Sequence, residues 1–157
     1  MATDKSAKTR KAVVVALEKI GSDKVLPPLK ILLKDSDPEL RIAAAIVVGE
    51  VGGKQAQEML LPLKYDQDEA GRRVYPVAAW MSKSPYTFEQ LRAALGSEHE
   101  HEQLGAYILL MKLDTPEAAA LIESSKPPAV DAAMRRKIDY LWGQASKQMA
   151  LPETNEP

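Results

Sequence analysis

Apolar positions along this chain fall into short helical runs, and the runs recur at a fixed step. Leu29, Leu60, Leu91 and Ile122 stand 31 residues apart, and Arg41, Arg72 and Gln103 repeat the same step. Within a run the spacing is that of one helix face, as in Val25, Leu26, Leu29, Leu32 and Leu33, which predicts a helix with a single buried stripe. A period of this size carried by helical patterns predicts two stacked helices per repeat, a helix A and a helix B.

The best-formed repeat predicts helix A over 23–34 and helix B over 38–51. Asp37 offers a side-chain oxygen to the free N–H groups of a helix start, and Pro38 fits the first helical position, where no N–H is needed. Leu40, Ala44, Val47, Val48 and Val51 form the inward stripe of this helix B, and Gly52-Gly53 end it. Further on, Thr87, Phe88, Leu91, Ala94 and Leu95 mark a helix A entered at Ser84-Pro85. Ala106, Leu109, Leu110 and Leu113 mark the next helix B, whose start, Ser97-Glu98-His99-Glu100, has the form of a capping box. Thr115-Pro116 opens another helix A, and Ile138, Leu141, Trp142 and Ala145 mark a last helix B, one residue out of register. Residues 10–21 match 41–52, with Val13, Ala16, Leu17 and Ile20 on inward positions, so the first element reads as a helix B without a helix A before it. The expected organisation is a polar segment over 1–8, about four and a half helix pairs over 9–146 and a flexible tail over 147–157.

The stretch LPPLKILLKDSDPELRIAAAIVVGEVG, Leu26 to Gly52, resembles a HEAT repeat of the short bacterial kind, the type also seen in phycobilin lyase subunits. The apolar helix A, Asp35, Asp37-Pro38, Arg41 three residues after the proline, the alanine-rich helix B and the terminal Gly carry the likeness. The resemblance implies an all-α solenoid in which helix B lines the concave face. It also implies a ladder of Asp and Arg side chains between repeats, to which Arg41 and Asp37 are assigned. It is specific for fold and weak for function, because one fold serves many roles.

Composition narrows the function classes. The net charge is −1, which disfavours a nucleic-acid binder. The absence of Cys removes disulfides and thiolate metal sites. The polar N-terminus has no signal-peptide core, and the longest apolar run, 42–48, is too short to span a bilayer. A cytoplasmic protein is expected. His99-Glu100-His101-Glu102 is the one cluster of ligand-type residues. Acids at a helix start favour the helix dipole, which explains the Glu residues without a metal. No nucleophile–base arrangement stands out, so no catalytic residue, cofactor or metal is assigned.

Two features point to a partner. The third repeat breaks the pattern: its helix B contains Tyr75-Pro76, and five of the eight aromatic residues lie between Tyr65 and Phe88. A proline inside a helix predicts a kink. Large aromatics there either fill the space it opens or anchor an interface. Secondly, the helix-B position opposite the core stripe is apolar in every repeat: Val15, Ile46, Val77, Ile108 and, with the one-residue shift, Tyr140. Ile42, Leu104, Trp80 and Met111 extend this row, and Lys11, Lys19, Arg73, Lys112 and Arg136 rim it. Ligand groove, self-association and burial between neighbouring B helices all fit. The expected function is a non-enzymatic scaffold that holds an amphipathic, acid-flanked peptide or protein segment on the helix-B face. Ile46, Val77, Trp80, Ile108, Met111 and Tyr140 are the expected apolar contacts, with Arg73, Lys112 and Arg136 as the cationic rim. The alternatives are a phycobilin-lyase-like role, with a chromophore near Tyr75, Trp80 and Tyr107, and homo-oligomerisation through the N-terminal helix.

Overall fold

In a computed structural model of the protein, residues 2–125 are described, and every regular element among them is helical. The chain divides into two compact units, Met1–Ser84 and Pro85–Pro157.

The first unit holds α1 (Ala7–Ile20), α2 (Leu26–Leu32), α3 (Pro38–Val51), α4 (Gly53–Leu60) and α5 (Glu69–Met81). Single turns of 3₁₀ helix over Asp23–Val25 and Leu61–Tyr65 extend α2 backwards and α4 forwards. Helices α2 and α4 are therefore A helices, and α1, α3 and α5 are B helices. The B-helix starts share one design. Ser6, Asp37 and Asp68 each sit in extended backbone as N-cap and accept a main-chain N–H, from Thr9, Glu39 and Ala70 respectively, so part of the unsatisfied first turn is covered. Helix α1 ends at Gly21 with φ 60°, the left-handed stop that a residue with a Cβ disfavours. Helix α5 remains one element through Pro76.

Helix α3 is the centre of this unit. It packs on α1, α2 and α4, and most extensively on α5. Ile42 to Gly49 are buried without interruption, so this helix is apolar all round and has no solvent face along its middle. The contact with α5 is close because of Gly49: a Cβ there would stand 2.8 Å from the Ala78 carbonyl oxygen. The start of α4 is tied to the end of α5, where the Ser82 carbonyl accepts the Gly53 N–H at 2.9 Å and the Gln57 side chain at 3.3 Å.

The second unit, described as far as residue 125, holds α6 (Phe88–Leu95), α7 (Glu100–Leu113) and α8 (Pro116–Ser124). Helix α7 packs on α6 and α8, and Leu104 to Ile108 are buried in sequence. The capping box of this unit is at Thr87 and Gln90, which exchange side-chain and main-chain hydrogen bonds. The box expected over Ser97–Glu100 does not form. His99 is the N-cap of α7 and has no side-chain cap bond; the Ser97 hydroxyl instead accepts the His99 N–H and donates to Glu102. Thr115 caps α8 through the Ala118 N–H, as its Thr-Pro signal predicts. The described residues thus contain one B helix, three A–B pairs and a fourth helix A. The last helix B, with Arg136 and Tyr140, and the 147–157 tail lie outside the described residues.

Candidate functional site

The period places one construction at the start of each B helix. In α1, Arg10 Nε and Nη2 donate to the two carboxylate oxygens of Asp35 at 2.7 and 2.9 Å. In α3, Arg41 does the same to Asp66, at 2.7 and 2.8 Å. Each pair joins residues 25 apart, so each ties one B helix to the loop before the next. The remaining Nη1 of each arginine turns back to its own loop. Arg10 reaches the carbonyls of Asp4 and Lys5, Arg41 those of Asp35 and Ser36, and Arg72 those of Asp66 and Gln67. Each carboxylate also accepts the N–H two residues on, from Asp37 to Asp35 and from Asp68 to Asp66. Planar fork meets planar fork, and both charges are largely covered, the geometry in which such pairs are strongest.

Arg41 therefore has Asp66 of the next repeat as its partner, and Asp37, expected beside it in the ladder, is a helix cap. The missed partner was marked by the same step: Asp4, Asp35 and Asp66 are 31 apart. One period later stands Ser97, in the second unit, and Gln103 takes the arginine position. Gln103 keeps the uncharged part of the arrangement, donating to the carbonyl of Ser97 six residues back.

Electrostatics follow the geometry. The Asp66 carboxyl lies below the usual carboxylate range because the Arg41 hydrogen bonds outweigh the cost of burial, with the Asp68 N–H adding to them. At Asp35 burial is the largest single influence and pushes upwards. The Arg10 hydrogen bonds, the Asp37 N–H and the nearby guanidinium charges together exceed it, so this group is lowered too. A cleft of about 490 Å³ opens beside the second pair, lined by Arg41, Tyr65, Asp66 and Gln67 among others. Arg41 and Asp66 are committed to each other there, and Asp35 is committed to Arg10, which suits a structural clasp and leaves neither carboxylate as a general base.

The row of apolar helix-B residues is placed differently from expectation. Ile46 is 0% exposed, and Val77 and Ile108 are buried as well; Ile42 and Leu104 share that fate, and Val15 is half-buried. Ile46, Val77 and Ile108 are core, not surface contacts. In the first unit the reason is the close approach of α3 and α5 at Gly49 and Ala78, which leaves no open channel between the two B helices. What remains at the surface is the C-terminal end of the row. Trp80 is half-buried on α5, with Arg73 exposed two turns earlier on the same side. In the second unit Met111 is half-buried on α7 and Lys112 is exposed. Tyr107, expected to border a chromophore, is buried at 2% exposure. His99 and His101 stack with ring centroids 5.7 Å apart. Among the described residues no group of three or more His, Asp or Glu side chains is gathered for a metal ion.

Residues 1–79 match the family model for HEAT repeats. The chain belongs to the HEAT-repeat family. HEAT repeats generally mediate protein–protein interaction, and the paired helices of both units have the all-α, HEAT-like form of the α-solenoid class. The match covers most of the first unit and the whole of the described Asp–Arg ladder. No curated protein matches the chain. No helix among the described residues is long and apolar enough to cross a membrane.

Proposed function

We propose that this HEAT-repeat protein is a non-enzymatic interaction module that holds a partner segment on its helix-B surface, in the cytoplasm. The observation that carries the reading is the pairing of half-buried Trp80 with exposed Arg73 on α5. Tryptophan and arginine are among the residue types enriched at the energetic centres of interfaces, and these two stand two turns apart on one helix. The pair suits an amphipathic segment with an acidic flank. Within the second unit, half-buried Met111 beside exposed Lys112 on α7 is a separate, smaller contact, with Arg136 and Tyr140 following in sequence. Ile46, Val77 and Ile108 are buried and are left out of the partner contact.

The test is affinity capture with the intact chain, identification of the bound protein and measurement of its affinity for variants. Trp80→Ala and Arg73→Glu each weaken binding at least about tenfold, the usual scale for an interface anchor. Leu61→Ser, on an exposed helix-A position, leaves it unchanged. A partner that binds both helix-B variants as tightly as the parent refutes the proposal.

A further inference from the structure

Successive repeats of the first unit meet through an apolar part and an ionic part, and both parts are present in unfinished form at α1. The apolar part is the inward stripe. In α3 its residues Ala44, Val47 and Val48 are buried. The matching residues of α1, one period earlier, are Val13, Ala16 and Leu17, with Ile20 matching Val51. Val13 and Leu17 are half-exposed, Ala16 is exposed, and Ile20 is 61% exposed. The ionic part is Asp4, one period before Asp35. Its Oδ1 accepts the Ser6 N–H at 2.8 Å, as that of Asp35 accepts the Asp37 N–H at 2.9 Å. Its carbonyl takes Arg10 Nη1, as the Asp35 carbonyl takes Arg41 Nη1. Asp35 and Asp66 each receive a guanidinium fork; among the described residues Asp4 receives none.

We infer that this edge is an end-on docking site for a further helix pair of the same repeat type. One helix of the pair brings an arginine to the Asp4 carboxylate, and the other covers Val13, Leu17 and Ile20. Two arguments fix the chemistry of the occupant. The edge continues, at the same 31-residue step, the junction already made twice within the unit. The carboxylate is held by Ser6 in the orientation that Asp35 and Asp66 present to a planar fork, which an arginine satisfies with two parallel bonds and a lysine does not. The stripe adds the apolar contact that gives a solenoid junction most of its stability.

The experiment is an extended chain in which residues 4–34 are repeated directly ahead of Asp4, so that the added copy of Arg10 stands 25 residues before it, the separation of the native pairs. The thermal midpoint of the extended chain rises by about 5 °C or more, the shift produced by one to two kcal/mol in a domain of this size. Asp4→Asn removes a large part of that gain in the extended chain and leaves the parent within about 1 °C, because exposed substitutions act weakly. An extended chain that melts at or below the parent, with the added segment trimmed by trypsin, overturns the inference. So does a gain that Asp4→Asn leaves intact. Self-association of the parent in sedimentation velocity, abolished by Leu17→Asp, identifies a second copy as an occupant of the same edge; self-association indifferent to both Leu17→Asp and Asp4→Asn argues against the edge.

Discussion

A single side chain decides how firmly two repeats of the first unit are joined. Asp66 takes two bonds from Arg41 and one from the Asp68 N–H. Replacing it with Ala strands a largely buried guanidinium and an N–H. Asp66→Ala is therefore expected to cost about 2–3 kcal/mol, the scale of hydrogen bonds to charged groups. Asp66→Asn, which still accepts the Asp68 N–H, costs less. Urea unfolding of the two variants measures the difference. The pH dependence has a definite sign. Asp35 and Asp66 are both lowered in the folded state, so their contribution is present in full above about pH 4, the unfolded carboxylate value. It is lost as the pH falls through the lower folded values. Stability of the parent drops as the pH falls below about 4, and the double variant Asp35→Asn, Asp66→Asn shows a shallower drop. This ladder was only half legible in the sequence. The arginine step was plain, but its partner lies in the following repeat, and Asp37, four residues from Arg41, was the nearer choice.

At the scale of the helix, local chemistry reads well where one side chain has one option. Asp37 and Thr115 cap where their flanking prolines predict. Ser97 has competing partners: its hydroxyl is engaged by Glu102 and the His99 N–H, and the helix starts later than the motif suggests. The outward row on the B helices failed for a different reason. A helical wheel assigns an outside to every helix, whereas α3 is enclosed by α1, α2, α4 and α5 and keeps no outside along Ile42–Gly49. The glycine that permits this enclosure gives a prediction at this scale. Gly49→Ala puts a methyl group 2.8 Å from the Ala78 carbonyl oxygen and 3.0 Å from its Cα, and backbone cannot rotate away as a side chain can. The helices must separate, at a cost of about 1–3 kcal/mol by analogy with overpacked cores. Gly71→Ala acts through the ladder instead. Its Cβ would fall 2.5 Å from Asp66 Cγ, displacing the carboxylate from Arg41. A double-mutant cycle with Asp66→Asn separates the two: Gly71→Ala couples to it, and Gly49→Ala adds independently.

Across the molecule, one family pattern runs through two units that are built with different junction chemistry. The described carboxylate–arginine ladder joins α1 to α3 and α3 to α5, all within Met1–Ser84, where the HEAT match also lies. In the second unit Ser97 and Gln103 keep the neutral hydrogen bond at the same register, and α6, α7 and α8 rest on apolar packing around Leu104–Ile108. Stability in repeat proteins is a sum of local terms, so protonating the ladder should weaken the two units unequally. Hydrogen exchange followed by mass spectrometry, corrected for intrinsic exchange at each pH, measures this directly. Between pH 6 and pH 2, amides of α3 and α5 lose more protection than those of α6 and α7, since stability lost from the ladder appears directly as more frequent opening. The Asp35→Asn, Asp66→Asn variant removes that contrast, because its unit-one junctions no longer titrate. Equal loss in both units of the parent would mean that the acid response comes from groups outside the ladder, and the clasp would then hold register without setting the pH limit of the fold.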